Sequence, residues 1–319
     1  ITMNVSANLL GLDNAATPLG LAAMRELQGL NREREGTASD AQIMFVVMNT
    51  AGLTLIPTSV IAIRQSVAVQ QGLGAGFNAA DIFLPTLIVT FISLLAGVLA
   101  VAVRQRLPLL RPKPLLALAG VGGALAAAVA LLARLPASQA ARITSAVGAG
   151  TILAVVLAFL LAGAWRRVNV YEAFVDGAKE GFGVAVQIIP YLVAILAAIG
   201  VFRAAGCMDA LLAAVGAAVA ALGLDTAFLP ALPVGVMKVL SGAGARGLMI
   251  DVMQAHGVDS FAGRLAAIIQ GSTETTFYVL AVYFGSVGVK NTRHALACAL
   301  LADAVGVVAA IGVGYALLR

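Results

Sequence analysis

The chain has 319 residues, 61% of them hydrophobic and only 11% charged, with a mean hydropathy of +0.99. Soluble domains carry about 25% charged residues, so a water-soluble globule is excluded and an all-α, polytopic helical membrane protein is expected. The net charge of +5 does not imply nucleic acid, because the basic residues fall in short loops between apolar runs and form no polar face.

The opening residues, Ile1-Thr2-Met3-Asn4-Val5, read like the middle of a helix, so further helices are expected before them. Asn14-Ala15-Ala16-Thr17-Pro18 then interrupts one apolar stretch, and Asn49 through Pro57 interrupts a second. The loop from Ser66 to Asp81 contains no Lys or Arg. Ile82 to Val103 is uncharged and exceeds the roughly 20 residues that cross a bilayer. It ends at Arg104, Arg106, Arg111 and Lys113, where Pro108, Pro112 and Pro114 forbid a continuing helix. This basic loop is expected to be cytoplasmic, and the Ser66 to Asp81 loop external.

Leu115 to Ala133 and Ile143 to Trp165 read as two more crossings, returning to a second basic region at Arg166, Arg167 and Lys179. Val170 to Glu180 alternates apolar and charged positions at helical spacing, which predicts an amphipathic helix on the cytoplasmic surface. Gly181 to Phe202 is a further apolar run. Ser241-Gly242-Ala243-Gly244-Ala245-Arg246 and the cluster Gln270 to Thr276 interrupt two later stretches, and Lys238 reads as an interfacial anchor. Ala295 to Leu318 completes the chain's apolar runs, broken only by Asp303. Cys207 and Cys298 read as buried thiols, and His256 and His294 as loop or interface residues without ligand-spaced partners. No metal or other cofactor is expected.

The pattern repeats. Gly20-Leu21, Gly29-Leu30-Asn31, the Asn49 break and Ser66-Val67-Ala68-Val69 recur in order as Gly247-Leu248, Gly257-Val258-Asp259, the Gln270 break and Ser286-Val287-Gly288-Val289. The loop after the first copy should be external, whereas the loop after the second carries Lys290 and Arg293 and should be internal. The copies are therefore expected to be inverted, the plan of many secondary transporters.

Proline or glycine clusters in a membrane helix free backbone polar groups, which only protein or a water-filled cavity can satisfy. The two copies are thus expected to bring their breaks together as a polar site. Asn14, Thr17, Asn49, Thr50 and Thr54 would come from the first copy, and Ser241, Gly242, Gly244, Arg246, Gln270, Ser272, Thr273, Glu274 and Thr275 from the second. Any single hydroxyl here could instead back-bond to its own helix; the cluster as a set favours a site. Glu274 is costly at membrane depth and is the leading candidate, with Asp303 the second acid for ion coupling. Arg246 either receives a carboxylate or phosphate or pairs structurally with Asp251 or Glu274. Asp13 reads as a helix cap.

Long motifs carry a family resemblance. NLLGLDNAATPLGLAAMRELQ (Asn8 to Gln28) and NTAGLTLIPTSVIAIR (Asn49 to Arg64) resemble the spore maturation protein A family. VNVYEAFVDGAKEGF (Val168 to Phe182), IIPYLVAILAAIGVFRAAG (Ile188 to Gly206), LSGAGARGLMIDVM (Leu240 to Met253) and QGSTETTFYVLAVYFGSVGVKNTRHAL (Gln270 to Leu296) resemble spore maturation protein B. The chain looks like a fusion: an A-like repeat at 1–103, linking helices at 104–165 and a B-like repeat at 166–319. Each half would carry a nucleoside recognition, or Gate, domain. The A-like half begins midway through its family pattern, and Lys238-Val239 stands where the B family has Arg-Pro.

The resemblance implies membrane transport, because Gate domains are similar to parts of concentrative nucleoside transporters and of ferrous iron transporter B. The expected function is a secondary transporter in a bacterial cytoplasmic membrane, moving a small polar or anionic metabolite (nucleoside, amino acid or carboxylate) with H⁺ or Na⁺. A membrane scaffold or solute sensor is the alternative. An enzyme is not expected, since no nucleophile pair, metal motif or nucleotide loop is present. A homo-oligomer would be compatible with a mobile unit.

Overall fold

A computed structural model of the chain describes residues 1–9, 13–52, 54, 57–74, 77–107, 137–179, 204–223 and 225–318, together with isolated positions between 120 and 201. The described residues are helical and contain no strand; Thr37 and Asn291 form an isolated bridge.

The helices in order are α1 (Thr2–Leu9), α2 (Asp13–Gly29), α3 (Asp40–Ala51), α4 (Thr58–Gln70) and, after a 3-10 turn at Ala79–Ile82, α5 (Phe83–Arg104). Next come α6 (Ala137–Trp165) and α7 (Cys207–Ala221). After a second 3-10 turn at Leu229–Ala231 follow α8 (Leu232–Leu240), α9 (Gly242–His256), α10 (Phe261–Ser272), α11 (Thr276–Gly285) and α12 (Ala295–Leu317). Residues 170–179 are also helical and largely exposed, where an amphipathic surface helix is expected. Among the described residues, three segments are long and apolar enough to cross a membrane: Ala79–Arg104, Phe261–Gly285 and Ala295–Leu317. The expected crossing at Ile143 to Trp165 lies within α6, whereas those at Leu115 to Ala133 and Gly181 to Phe202 lie outside the described residues except at isolated positions.

A short helix, three of intermediate length and a long one follow in order as α1–α5 and again as α8–α12. Matching ends use matching chemistry. Ser39 caps α3 in a reciprocal box with Gln42, and Ser260 caps α10 by accepting from the Gly263 amide at 3.0 Å.

Corresponding helices run antiparallel. Ser93 of α5 donates to the Ala302 carbonyl of α12 at 3.0 Å, while Val103 and Arg104 at the end of α5 lie beside His294 and Ala297 where α12 starts. Small residues allow this approach: a Cβ on Gly97 would stand 3.2 Å from that of Ala302. The broken pair α3–α4 likewise runs against α10–α11. Phe45 stacks on Tyr283 at 5.9 Å, Pro57 lies against Gly271, and the Gln71 side chain accepts from the Val258 amide at 3.0 Å.

Ion pairs close both ends of this crossing. At one end Arg64, fully buried, pairs with Asp81 and donates to the Ala79 carbonyl at 2.7 Å, and Arg264 reaches Asp81 and Asp259 at 3.7 and 3.2 Å. At the other, Arg293 reaches Asp40 and Glu33 at 2.7 and 3.5 Å, and the Lys290 amide donates to the Gly36 carbonyl at 2.8 Å. Arg104, Lys290 and Arg293 make this second end the more basic one, as expected of a cytoplasmic face.

Two sequence expectations change. The Asn14 to Pro18 stretch does not interrupt a helix: α2 begins at Asp13 and runs through Pro18 in its second turn, forgoing the one hydrogen bond that an N–H there would make four residues back. Cys207 is exposed at the start of α7, while Cys298 is buried as expected.

Candidate solute site

The breaks of the two halves meet. After α3 ends, Gly52 adopts φ +32, and a Cβ there would stand 3.0 Å from Glu274 Cγ. The Glu274 amide donates to the Thr50 carbonyl at 2.9 Å, so the broken backbone of one half satisfies that of the other. Glu274 forms the wall shared by two clefts.

The first cleft, about 30 Å³, is bounded by Thr54, Pro57, Thr58, Ser59 and Val60 from the first break, by Gln270, Gly271, Thr273 and Glu274 from the second, and by Lys238 and Arg246. That volume holds roughly one water. The second, about 150 Å³, is lined by Asn8, Ala16, Thr17, Asn49, Glu274, Tyr278, Val279 and Tyr283.

An amide network supports the larger cavity. Asn8 donates to Asn49 Oδ1 at 2.8 Å, and the Tyr283 hydroxyl donates to the same oxygen at 3.3 Å. Asn4 donates to the Ala16 carbonyl at 2.8 Å and to the Tyr283 hydroxyl at 3.2 Å. Asn49 in turn donates to the Phe45 carbonyl at 2.8 Å, which fixes the orientation of that accepting oxygen. Gly20 leaves room for the Tyr283 hydroxyl, with which any Cβ would collide.

Of the residues expected at the site, Thr17, Asn49, Thr54, Arg246, Gln270, Thr273 and Glu274 line the two clefts. Thr50 contributes its carbonyl, while its hydroxyl donates to Val47 at 2.9 Å. Ser241 caps α9 by accepting from the Gly244 amide at 3.1 Å; Gly242 packs against Thr275, and Gly244 against Met237. These four support the wall without facing the clefts. Ser272 is turned away, donating to its own helix at Ile269, 3.0 Å distant. The side chain of Asn14 lies outside the described residues. Asp303 is buried and accepts from the Thr276 hydroxyl at 2.6 Å, behind the break and within electrostatic reach of Lys238.

Lys238 corrects its sequence reading. It is no interfacial anchor: only 7% exposed, it lines the cleft near the Ser241 break that ends α8. Asn4, Asn8 and Tyr283 are further site residues that the sequence reading passed over. Asn4 and Asn8 stand one helical turn apart in an apolar stretch, a signal that two amides share a buried face. Among the described residues no group of three or more His, Cys, Asp or Glu is placed to hold a metal.

Apolar helices of spanning length, with two interrupted pairs meeting around buried polar groups, define a helical membrane protein of the broken-helix type. The nucleoside recognition (Gate) family matches residues 185–290, a range containing Lys238, Arg246 and the whole Gln270 to Thr276 break. The chain is 45% identical over 157 residues to spore maturation protein B of Bacillus subtilis (strain 168), covering 49% of this chain and 86% of that protein. It is 42% identical over 93 residues to spore maturation protein A of the same strain, covering 29% of this chain and 43% of that protein. The chain belongs to the spore maturation protein B family and is a membrane protein. No solved structure matches it.

Proposed function

We propose that the chain is a multi-pass secondary transporter of the bacterial cytoplasmic membrane, carrying a small polar or anionic metabolite between two inverted repeats coupled to H⁺ or Na⁺. On this reading it fuses an A-like half, 1–103, to a B-like half, 166–319, through linking helices at 104–165, and it is not an enzyme. The observation that carries the proposal is the meeting of the two breaks at Thr50, Gly52 and Glu274. Transporters with inverted repeats place their sites where discontinuous helices from the two repeats converge. Two further features support it: the antiparallel course of α5 against α12, and ion pairs at both ends of the crossing. Disruption of one end while the other holds would give alternating access, with the clefts between them.

Uptake of a metabolite panel into proteoliposomes tests the proposal, with Glu274→Gln and Arg246→Ala beside the native chain. Energised uptake that both substitutions abolish supports it. Solute binding with no flux under any gradient would make the protein a sensor or scaffold, and unchanged flux in both variants would remove this site.

A further inference from the structure

We propose that the solute is a small organic acid of the amino- or hydroxy-acid class, and that its carboxylate docks between Lys238, Arg246 and the N-terminus of α4. This deepens the transporter reading and rests on it for the movement of the solute, though not for its binding.

Three independent features put positive potential on one small volume. Lys238 is 7% exposed, and among the described residues neither it nor Arg246 has a carboxylate in ion-pair contact. A buried ammonium without a paired anion is costly, and costs of that kind mark sites that receive a charge from outside. The third feature is α4, a 13-residue helix whose N-cap is Pro57 and which has no side-chain cap. The amides of Thr58, Ser59 and Val60 therefore have no acceptor within the helix, and all three residues line the same cleft as the two cations. Helix N-termini with free amides bind anions, and cationic side chains beside them strengthen the preference.

The opposite wall has acceptor chemistry. Glu274 and the buried Gln270 line the cleft, and the Gln270 Oε1 is met by no donor among the described residues. A carboxylate whose neighbouring carbon bears an ammonium or hydroxyl donor satisfies both walls. A neutral nucleoside offers no anion to Lys238, Arg246 or the α4 amides. At about 30 Å³ the cleft has room for no more than the head group of a small acid, and Glu274 also lines the neighbouring cavity of about 150 Å³.

The purified full chain in detergent is screened by thermal shift with amino acids and short hydroxy acids, each beside its own amide, together with uridine and adenosine. The expected result is stabilisation by at least one acid and not by its amide, with affinity reduced at least tenfold by Lys238→Met or Arg246→Met and retained in Lys238→Arg. The melting midpoint of Lys238→Met without solute shows that the variant is folded, and Lys238→Arg keeps the test decisive if it is not. Stabilisation by a nucleoside alone, equal stabilisation by acid and amide, or no response to any acid would overturn the assignment. An acid that binds through Lys238 but shows no flux in liposomes would uphold the cleft and remove the carrier; nucleoside flux with no acid response would uphold the carrier and remove the cleft.

Discussion

The amide of Glu274 donates to the carbonyl of Thr50 at 2.9 Å, and this bond joins helix breaks more than two hundred residues apart. Because the link runs through backbone, the joint itself does not depend on the glutamate carboxylate. Glu274→Gln should therefore melt close to the native chain while losing coupled uptake. Gly52→Ala should do the reverse. The positive φ at Gly52 disfavours a Cβ by roughly 1–2 kcal/mol, and that Cβ would press on Glu274 Cγ. A clear drop in melting midpoint, with transport impaired as a consequence, is expected, and melting curves of the two variants side by side check it.

Arg64 is a structural charge rather than a solute ligand. It pairs with Asp81, donates to the Ala79 carbonyl at 2.7 Å and lies 5.3 Å from the Phe77 ring centroid, all with no exposure to solvent. Removing one partner of a buried pair costs about 3–5 kcal/mol because the other charge is stranded. Arg64→Met should therefore be among the most destabilising single changes in the chain. Arg64→Lys should recover little, since an ammonium cannot reproduce the planar fork. Denaturation in detergent would measure both, and a near-native Arg64→Met would show that this end is held by packing alone.

Much of this arrangement was legible in the sequence because its signals are local. Interrupted apolar runs at Asn49 and Gln270 locate the breaks that the structure joins. What escaped reading depends on depth. Lys238 looks like an anchor because a lysine near the end of an apolar stretch normally snorkels to the interface, yet it is buried near the break that ends α8. Ser272 looks like a ligand because hydroxyl clusters do not show which member back-bonds. Pro18 looks like a break because helix interiors reject proline, yet α2 runs through it at the cost of one intrahelical hydrogen bond.

Asp303 accepts from Thr276 at 2.6 Å through one oxygen, while its other oxygen is buried without a hydrogen-bond partner among the described residues. An asparagine can keep the first bond while removing the ionisable group. Asp303→Asn should thus change stability by no more than about 1 kcal/mol, the usual worth of a single hydrogen bond. If Asp303 carries the coupling proton, uptake in the variant loses its dependence on external pH. Retained pH dependence would assign coupling to Glu274 alone.

His294 gives the basic end a pH response of its own. Partial burial, then the nearby positive charges of Arg293 and Arg104, lower its pKa below the ordinary histidine value, with Asp40 opposing. The folded chain therefore resists a proton that the unfolded chain accepts at about pH 6.5. Linkage then sets the sign: this contribution is fully present above about pH 6.5, declines as the pH falls through that value, and levels off once the folded imidazole is also charged. His294 Nε2 lies 3.4 Å from the Gln105 side chain, whose amide also donates to the Asp40 carbonyl at 2.9 Å, so protonation disturbs the contact between the end of α5 and the start of α12. Melting midpoints measured from about pH 8 to about pH 5 should fall more steeply for the native chain than for His294→Gln, which keeps a neutral polar group at that position. Coincident curves would assign the acid sensitivity of the fold to its carboxylates.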